Sequence, residues 1–273
     1  MFDTTQLALL APVYAVAALG GILAGSVSPP LAYSKSVTFG ITLMHSVLAG
    51  ALIGVFLKDV AGIPVSPALT AIALASAISL LTAEAVNRGF PEDAAVAVSV
   101  GVSVSIAVVM AFEVSVRTSY GMSEAMGYVF GTAALATWED VARLAASLIL
   151  VLPLTHMFWC EYKYLAFDPE GARAMGIHVR AYRYLYFFIA AVAASVLAMS
   201  LGVLLAHVVI SLPGLMALRL KTPYPFRLSY GVGVSMLVSG YVIAWLLGWP
   251  PSGGVGLVAA ALIATAMVMR RGG

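Results

Sequence analysis

Charge is what this chain has least of. Asp, Glu, Lys and Arg together supply 10% of its 273 residues, against roughly 25% in a typical soluble domain. With 62% hydrophobic residues and a mean hydropathy of +1.02, the chain has more apolar surface than a soluble interior can hide, so its solvent must be lipid. Cysteine is almost absent. Cys160 stands alone, which excludes an internal disulfide and any multi-cysteine metal site; it reads as a small apolar residue near a span end. The opening "MFDTTQ" lacks the basic region of a secretory signal, and no small-residue cleavage site ends the first apolar run, so that run is expected to be a retained span. There is no GxxxxGKS/T phosphate loop, and no polar segment is long enough to fold an ATPase domain. HExxH, GxSxG and paired carboxylates within an apolar run are also missing, which argues against a membrane-embedded enzyme. Nothing points to nucleic acid as a partner.

What the chain does have is long apolar runs. A span needs about 20 such residues, and the candidates are 8–30, 38–57, 65–86, 93–112, 139–161, 183–201, 203–220, 228–247 and 253–270. Runs of this length satisfy their own backbone only as helices. The expected fold is therefore all-α: a polytopic membrane protein of about 8–9 transmembrane helices in a single domain, 1–273. Only a Ser-Leu-Gly break separates the sixth and seventh runs. "GILAG" (Gly21 to Gly25) and "GALIG" (Gly50 to Gly54) have GxxxG spacing, which permits close helix approach, either within the bundle or at a subunit contact.

Basic residues orient the chain. With the N-terminus outside and the C-terminus inside, the inner side receives Lys35, Arg88, Lys163, Arg173, Arg180, Arg183, Arg219, Lys221, Arg227, Arg270 and Arg271. The outer side receives Lys58, Arg117 and Arg143. Eleven against three is a strong positive-inside bias.

The bias puts the polar stretch "FDPEGARAMGIHVR" (167–180), within a loop spanning 162–182, on the cytoplasmic side. Asp168 can cap a helix that starts at Pro169, with Glu170 near the positive end of the helix dipole and Gly176 supplying a left-handed stop. Barely two turns lie between, too few for a helix to stand alone in water. Ala172, Met175 and Ile177 give it a small apolar face, and Glu170 and Arg173 give it charge. It must pack on its own bundle or on a partner.

"FDPEGARAMGI" closely resembles the cytoplasmic segment of permeases in the ABC-type manganese, zinc and iron uptake family (ABC-3). The likeness extends along the chain. "MHSVLAGALIG" (44–54) resembles the second-span motif, and "PEDAAVAVSVGVSVSIAVVM" the segment that opens with an acidic pair. "YVFG" (128–131) resembles the link between the fourth and fifth spans. "LGVLLAHVVISLPGLMA" (201–217) and "WPPSGGVGLVAAALI" resemble late spans. The resemblance implies an importer of a divalent metal ion, with ATP reaching it through a separate ATP-hydrolysing cassette subunit. That subunit would dock on a coupling helix formed by Phe167, Asp168, Pro169, Glu170, Ala172, Arg173, Gly176 and Ile177. It further implies a second permease subunit, identical or closely related, with the pathway between the two, and an extracytoplasmic substrate-binding protein.

Ionisable groups inside a membrane are expensive and mark function by default. His45 in the second span and His207 in the seventh are the candidate metal residues, since imidazole ligates zinc, iron and manganese. Each could equally make a helix-to-helix hydrogen bond. The family sets an aspartate four residues before this first histidine, on the same helix face; here that position is Ile41. The departure favours, as an alternative cargo, a metal chelate or cofactor. An ion-gradient-driven secondary transporter is a further alternative, but it would call for internal repeats and mid-membrane charges. His156 reads as interfacial, and His178 as solvated or docking surface. Asp59, Glu113, Glu124, Glu139 and Asp140 fall at outer span ends, and Glu92 and Asp93 at an inner helix start.

Overall fold

A computed structural model describes residues 4–118, 121–130 and 136–268. Arg270 and Arg271, and the side chain of Glu124, lie outside the described residues. The helices are α1 (Thr4–Tyr33), α2 (Val37–Val55, prolonged by a wider turn over Phe56–Val60), α3 (Pro67–Asn87), α4 (Glu92–Arg117), α5 (Gly121–Phe130) and α6 (Trp138–Met157). They continue with α7 (Trp159–Phe167), α8 (Pro169–Ala174), α9 (Val179–Leu201), α10 (Val203–Arg219), α11 (Pro225–Leu247) and α12 (Pro251–Val268). Seven of these are long and apolar enough to cross a membrane, and α10 and α12 are shorter apolar helices. At 1.5 Å per residue, the 17 residues of α10 reach about 26 Å, close to the roughly 30 Å hydrocarbon core.

Side-chain contacts fix the direction of each pass. Gly21 and Gly25 of α1 lie against Gly233 and Ser229 of α11, so these two helices are antiparallel. Gly50 and Gly54 of α2 meet Ala71 and Pro67 of α3. Ser79 of α3 bonds Phe187 of α9, while Glu84 and Asn87 nearer the end of α3 bond Arg180 and Arg183 nearer the start of α9, so these two helices are also antiparallel. Gly20 of α1 faces Leu201, whereas Ser28 further along α1 bonds Ser211 and Gly214 of α10. Thus α9 and α10 form a hairpin at Gly202, whose φ of +89° is a backbone state that suits glycine. The short Ser-Leu-Gly break is a true turn between two passes.

One end of the bundle therefore carries Lys35, Arg88, Lys163, Arg173, Arg180, Arg183, Arg219, Lys221 and Arg227. The other carries Lys58, Arg117 and Arg143. Helix α4 ends and α6 begins at this second end, with α5 between them. The stretch 139–161, expected as one span, breaks at Phe158 into α6 and α7. At that break His156 stacks on Phe226 (4.2 Å between centroids) and Trp159 meets the same ring edge-on at 5.0 Å, an aromatic belt of the kind found where lipid meets water.

Both GxxxG pairs serve packing inside the bundle. A methyl group built on Gly21 would come within 2.5 Å of the Val234 backbone, and one on Gly50 within 2.6 Å of the Thr70 carbonyl. Helix α9 is the central element, buried along most of its length from Tyr186 to Leu201. The proline inside α10, Pro213, weakens that helix's own ladder. Ser28 of α1 compensates, donating to Ser211 O at 3.2 Å and accepting from Gly214 N at 2.6 Å. Ser229 of α11 donates to Pro213 O at 3.1 Å. Neighbouring helices thus satisfy backbone that lipid could not.

Candidate functional site

Two places in the bundle carry chemistry. The first lies midway between its ends. His45, on the third turn of α2, and His207, on the second turn of α10, face each other with ring centroids 5.9 Å apart and planes at 78°. Both side chains are half-buried. His207 Nδ1 bonds the Val203 carbonyl one turn back; a carbonyl only accepts, so Nδ1 holds the proton and Nε2 keeps its lone pair. His45 Nδ1 is buried without a hydrogen-bond partner. Beside His45 lies a cavity of about 250 Å³, walled by Leu48, Leu52, Val104, Val108 and Met126. Among the described residues, no group of three or more His, Cys, Asp or Glu is gathered as a full metal-ligand set. The fold thus brings together the two histidines that the sequence singles out and gives them an apolar surround. His156 stays at the interface, bonded to Tyr230 Oη at 3.1 Å through Nε2, and His178 is exposed just before α9.

The second place is α8, at the basic end. Asp168 Oδ1 accepts from Gly171 N at 2.8 Å, and Pro169 opens the helix. Ile177 N bonds Ala172 O, and Gly176 N bonds Arg173 O, both at 3.0 Å, around Gly176 at φ +84°. This double closure is a Schellman stop, and both ends of the short helix are therefore capped. Ala172 is fully buried and anchors α8 to its own chain. Phe167 and Met175 are 73% and 59% exposed, and Glu170 and Arg173 are also exposed. Two large apolar side chains beside a charged pair, on a water-facing end, form a surface that is unfinished in the isolated chain.

The sequence matches the ABC 3 transport family over residues 6–270. The chain belongs to that family. It is 27% identical over 255 residues to a protein of Thermotoga maritima described as a "Probable metal transport system membrane protein", covering 91% of this chain and 86% of that one. It is 24% identical over 237 residues to the high-affinity zinc uptake system membrane protein ZnuB of Haemophilus influenzae, covering 84% and 86%. Its fold is similar to that in the solved structure of PsaBC from Streptococcus pneumoniae in complex with Fab, with a TM-score of 0.77 at 20% identity over 94% of this chain and 90% of that one.

In this ABC 3 chain α8 has a firm seat. Helix α9, which continues from α8 through four residues, is pinned to the end of α3. Glu84 accepts from Arg180 Nη2 at 2.8 Å, from Arg88 Nε at 2.7 Å and from the Tyr184 hydroxyl. Arg183 Nη1 donates to Asn87 Oδ1 at 2.6 Å. Sequence reasoning missed this node. The Glu84–Arg88 spacing was readable, but Arg180 and Tyr184 join only when α3 and α9 pack. Glu84→Ala is expected to speed amide exchange several-fold in the first turns of α9 while leaving α11 unchanged, as local stability follows local contacts; hydrogen–deuterium exchange on the purified chain reads both. Asp140, expected at an outer span end, is 5% exposed and caps α6: it accepts from Thr137 N at 2.9 Å and pairs with Arg143 at 2.7 Å. Glu113 pairs with Arg117 at 2.7 Å, and Asp59 with Lys58 at 3.8 Å. These are local ion pairs within one helix or turn.

Proposed function

We propose that this chain is the permease subunit of an importer that carries a divalent metal ion into the cell, driven by a separate ATP-hydrolysing subunit. The observation that carries the reading is α8: a two-turn helix capped at both ends, seated on its own bundle by Ala172, and presenting Phe167 and Met175 to water at the basic end. Such a helix transmits force because its ends cannot fray, and its exposed apolar pair suits a pocket in a soluble partner. The ATPase subunit docks over 167–177. The basic end faces the cytoplasm, with the N-terminus outside and the C-terminus inside, a reading supported by the bias of basic residues to one end.

A second permease chain, identical or closely related, completes the pathway, and an extracytoplasmic binding protein delivers the ion to the far end. Closure of the ATPase pair on ATP pulls the two α8 segments together and rocks the bundles between outward-open and inward-open states. His45 and His207 stand in the pathway as the residues that meet the cargo. The metal assignment draws on the relatives, a metal transport membrane protein and the zinc permease ZnuB. The test is uptake in proteoliposomes containing this chain and its ATPase subunit. Zinc or manganese chloride should accumulate on the ATPase side only with ATP and the binding protein present. Accumulation that proceeds equally without an ATPase subunit would instead identify a gradient-driven transporter.

A further inference from the structure

Beneath the start of α8, at the basic end, lies a second cavity of about 200 Å³. Pro169 of α8 and Leu165 of α7 wall one side; the turn from α1 to α2, the start of α4 and the early part of α9 wall the other. Where the cavity beside His45 is apolar, this one carries charge. Glu92 of α4 and Arg183 of α9, both half-buried, line it together. Arg183 Nη1 donates to Asn87 Oδ1 at 2.6 Å. Among the described residues, neither Glu92 nor Arg183 takes part in a salt bridge. Tyr162 of α7 also lines the cavity; it is 5% exposed, and its hydroxyl is buried without a hydrogen-bond partner.

Taking a carboxylate and a guanidinium partly out of water costs desolvation, which direct contact between the two normally offsets. Here that contact is not made, and the Tyr162 hydroxyl adds another unmet polar group. A ligand bearing both charges offsets both costs at once. A cation alone would meet Glu92 and be repelled by Arg183; an anion alone would face the reverse. A divalent metal ion would find a single carboxylate next to a fixed positive charge, and no group of three or more His, Cys, Asp or Glu is gathered among the described residues. Size narrows the class further. About 200 Å³ far exceeds the roughly 30 Å³ share of one water and falls short of the roughly 300–1,000 Å³ of sites for drug-sized molecules.

We propose that this cavity binds a small zwitterion of the amino-acid class, its carboxylate on Arg183 and its ammonium on Glu92 beside the Tyr162 hydroxyl, and that the occupant restrains α8. The restraint, unlike the binding, rests on the transport reading above. Pro169 belongs to the helix on which the ATPase subunit docks, so a molecule lodged between it and α4 and α9 ties that helix to the bundle and slows its travel.

The experiment uses the complex of this chain with its ATPase subunit in nanodiscs. Radiolabelled L-alanine is the zwitterion, and propionate and ethylamine are its two halves. L-Alanine should bind at least about tenfold more tightly than either half, the scale of one charge-assisted contact. Glu92→Gln and Arg183→Gln should each weaken L-alanine binding by about tenfold. Because Arg183 also holds Asn87, Glu92→Gln, which keeps the side-chain volume, is the deciding variant. L-Alanine should lower the wild-type rate of ATP hydrolysis by about fivefold, a usual size for coupling between sites, and leave the rate of Glu92→Gln unchanged. L-Alanine binding no tighter than that of propionate or ethylamine overturns the proposal, as does undiminished binding in Glu92→Gln. Tight, Glu92-dependent binding with an unaltered rate of hydrolysis supports the site and defeats the restraint on α8. If the chain recovers no ATPase subunit, the same binding by the permease alone in nanodiscs supports the site and defeats the transport reading.

Discussion

Gly176→Pro is expected to abolish association with the ATP-hydrolysing subunit while the chain still inserts in the membrane. Gly176 sits at φ +84°, and proline is locked near −65°, so the substitution cannot keep the turn that ends α8. It also removes the N–H that closes on the Arg173 carbonyl. The Ile177-to-Ala172 bond is then lost with the turn, and a two-turn helix stripped of its stop does not hold its shape alone. Phe167 and Met175 would no longer be presented together. Arg173→Glu tests the same surface without touching the backbone, because Arg173 is exposed in the last turn. Charge reversal there also sets a carboxylate at the negative end of the helix dipole. Both variants should lower recovery of the ATPase subunit on an affinity-tagged permease by at least about tenfold, the scale of a lost interface hot spot. Undiminished co-purification of both would remove α8 from the docking surface.

Gly214→Leu is expected to leave little folded chain. A Cβ at this position would lie 2.1 Å from the Ser28 carbonyl oxygen and 2.3 Å from its carbon. These are backbone atoms of the neighbouring helix α1, so no side-chain rotation relieves the clash. The two helices must separate, and the Ser28–Gly214 hydrogen bond of 2.6 Å breaks as they do. Overpacking a well-filled interior typically costs 1–3 kcal/mol, and a clash with fixed backbone belongs at or beyond the upper end. Even Gly214→Ala should lower the melting temperature by several degrees, at about 2–4 °C per kcal/mol in a chain of this size. Gly231→Ala and Gly101→Ala are the controls, since nothing lies within 4 Å of a Cβ at either position. Thermal melts followed by size exclusion in detergent should separate Gly214 from both controls. Similar melting temperatures for all three would show that α1 and α10 do not pack in this way.

The elements read most clearly from sequence are those whose causes are local. Run length marked the spans because a helix in lipid satisfies its backbone within itself. The caps of α8 were legible for the same reason: Asp168, Pro169 and Gly176 act on backbone atoms within a few residues of themselves. GxxxG spacing at Gly21 and Gly50 foretold close approach but named no partner, and α11 and α3 supplied it. The break at Phe158 was hidden because aromatic residues continue the apolar run across it. The Glu84 node was hidden because its members lie on helices far apart in sequence.

The sequence by itself determined the solvent of this protein, the approximate ends of most of its spans, and the capped helix at its basic end; the turn at Gly202 that separates α9 from α10 was settled by the structure. Only the tertiary structure decided that His45 meets His207. The physical reason is rotational. In a soluble helix one apolar stripe dictates which face turns inward. In lipid the exterior is as apolar as the interior, so residues such as Ile41, Leu48 and Leu52 do not tell α2 which way to turn. Backbone contacts at Gly50 and Gly54 against α3 set that rotation, as the Ser28 bonds do for α10. With both helices fixed, the two imidazoles come to 5.9 Å.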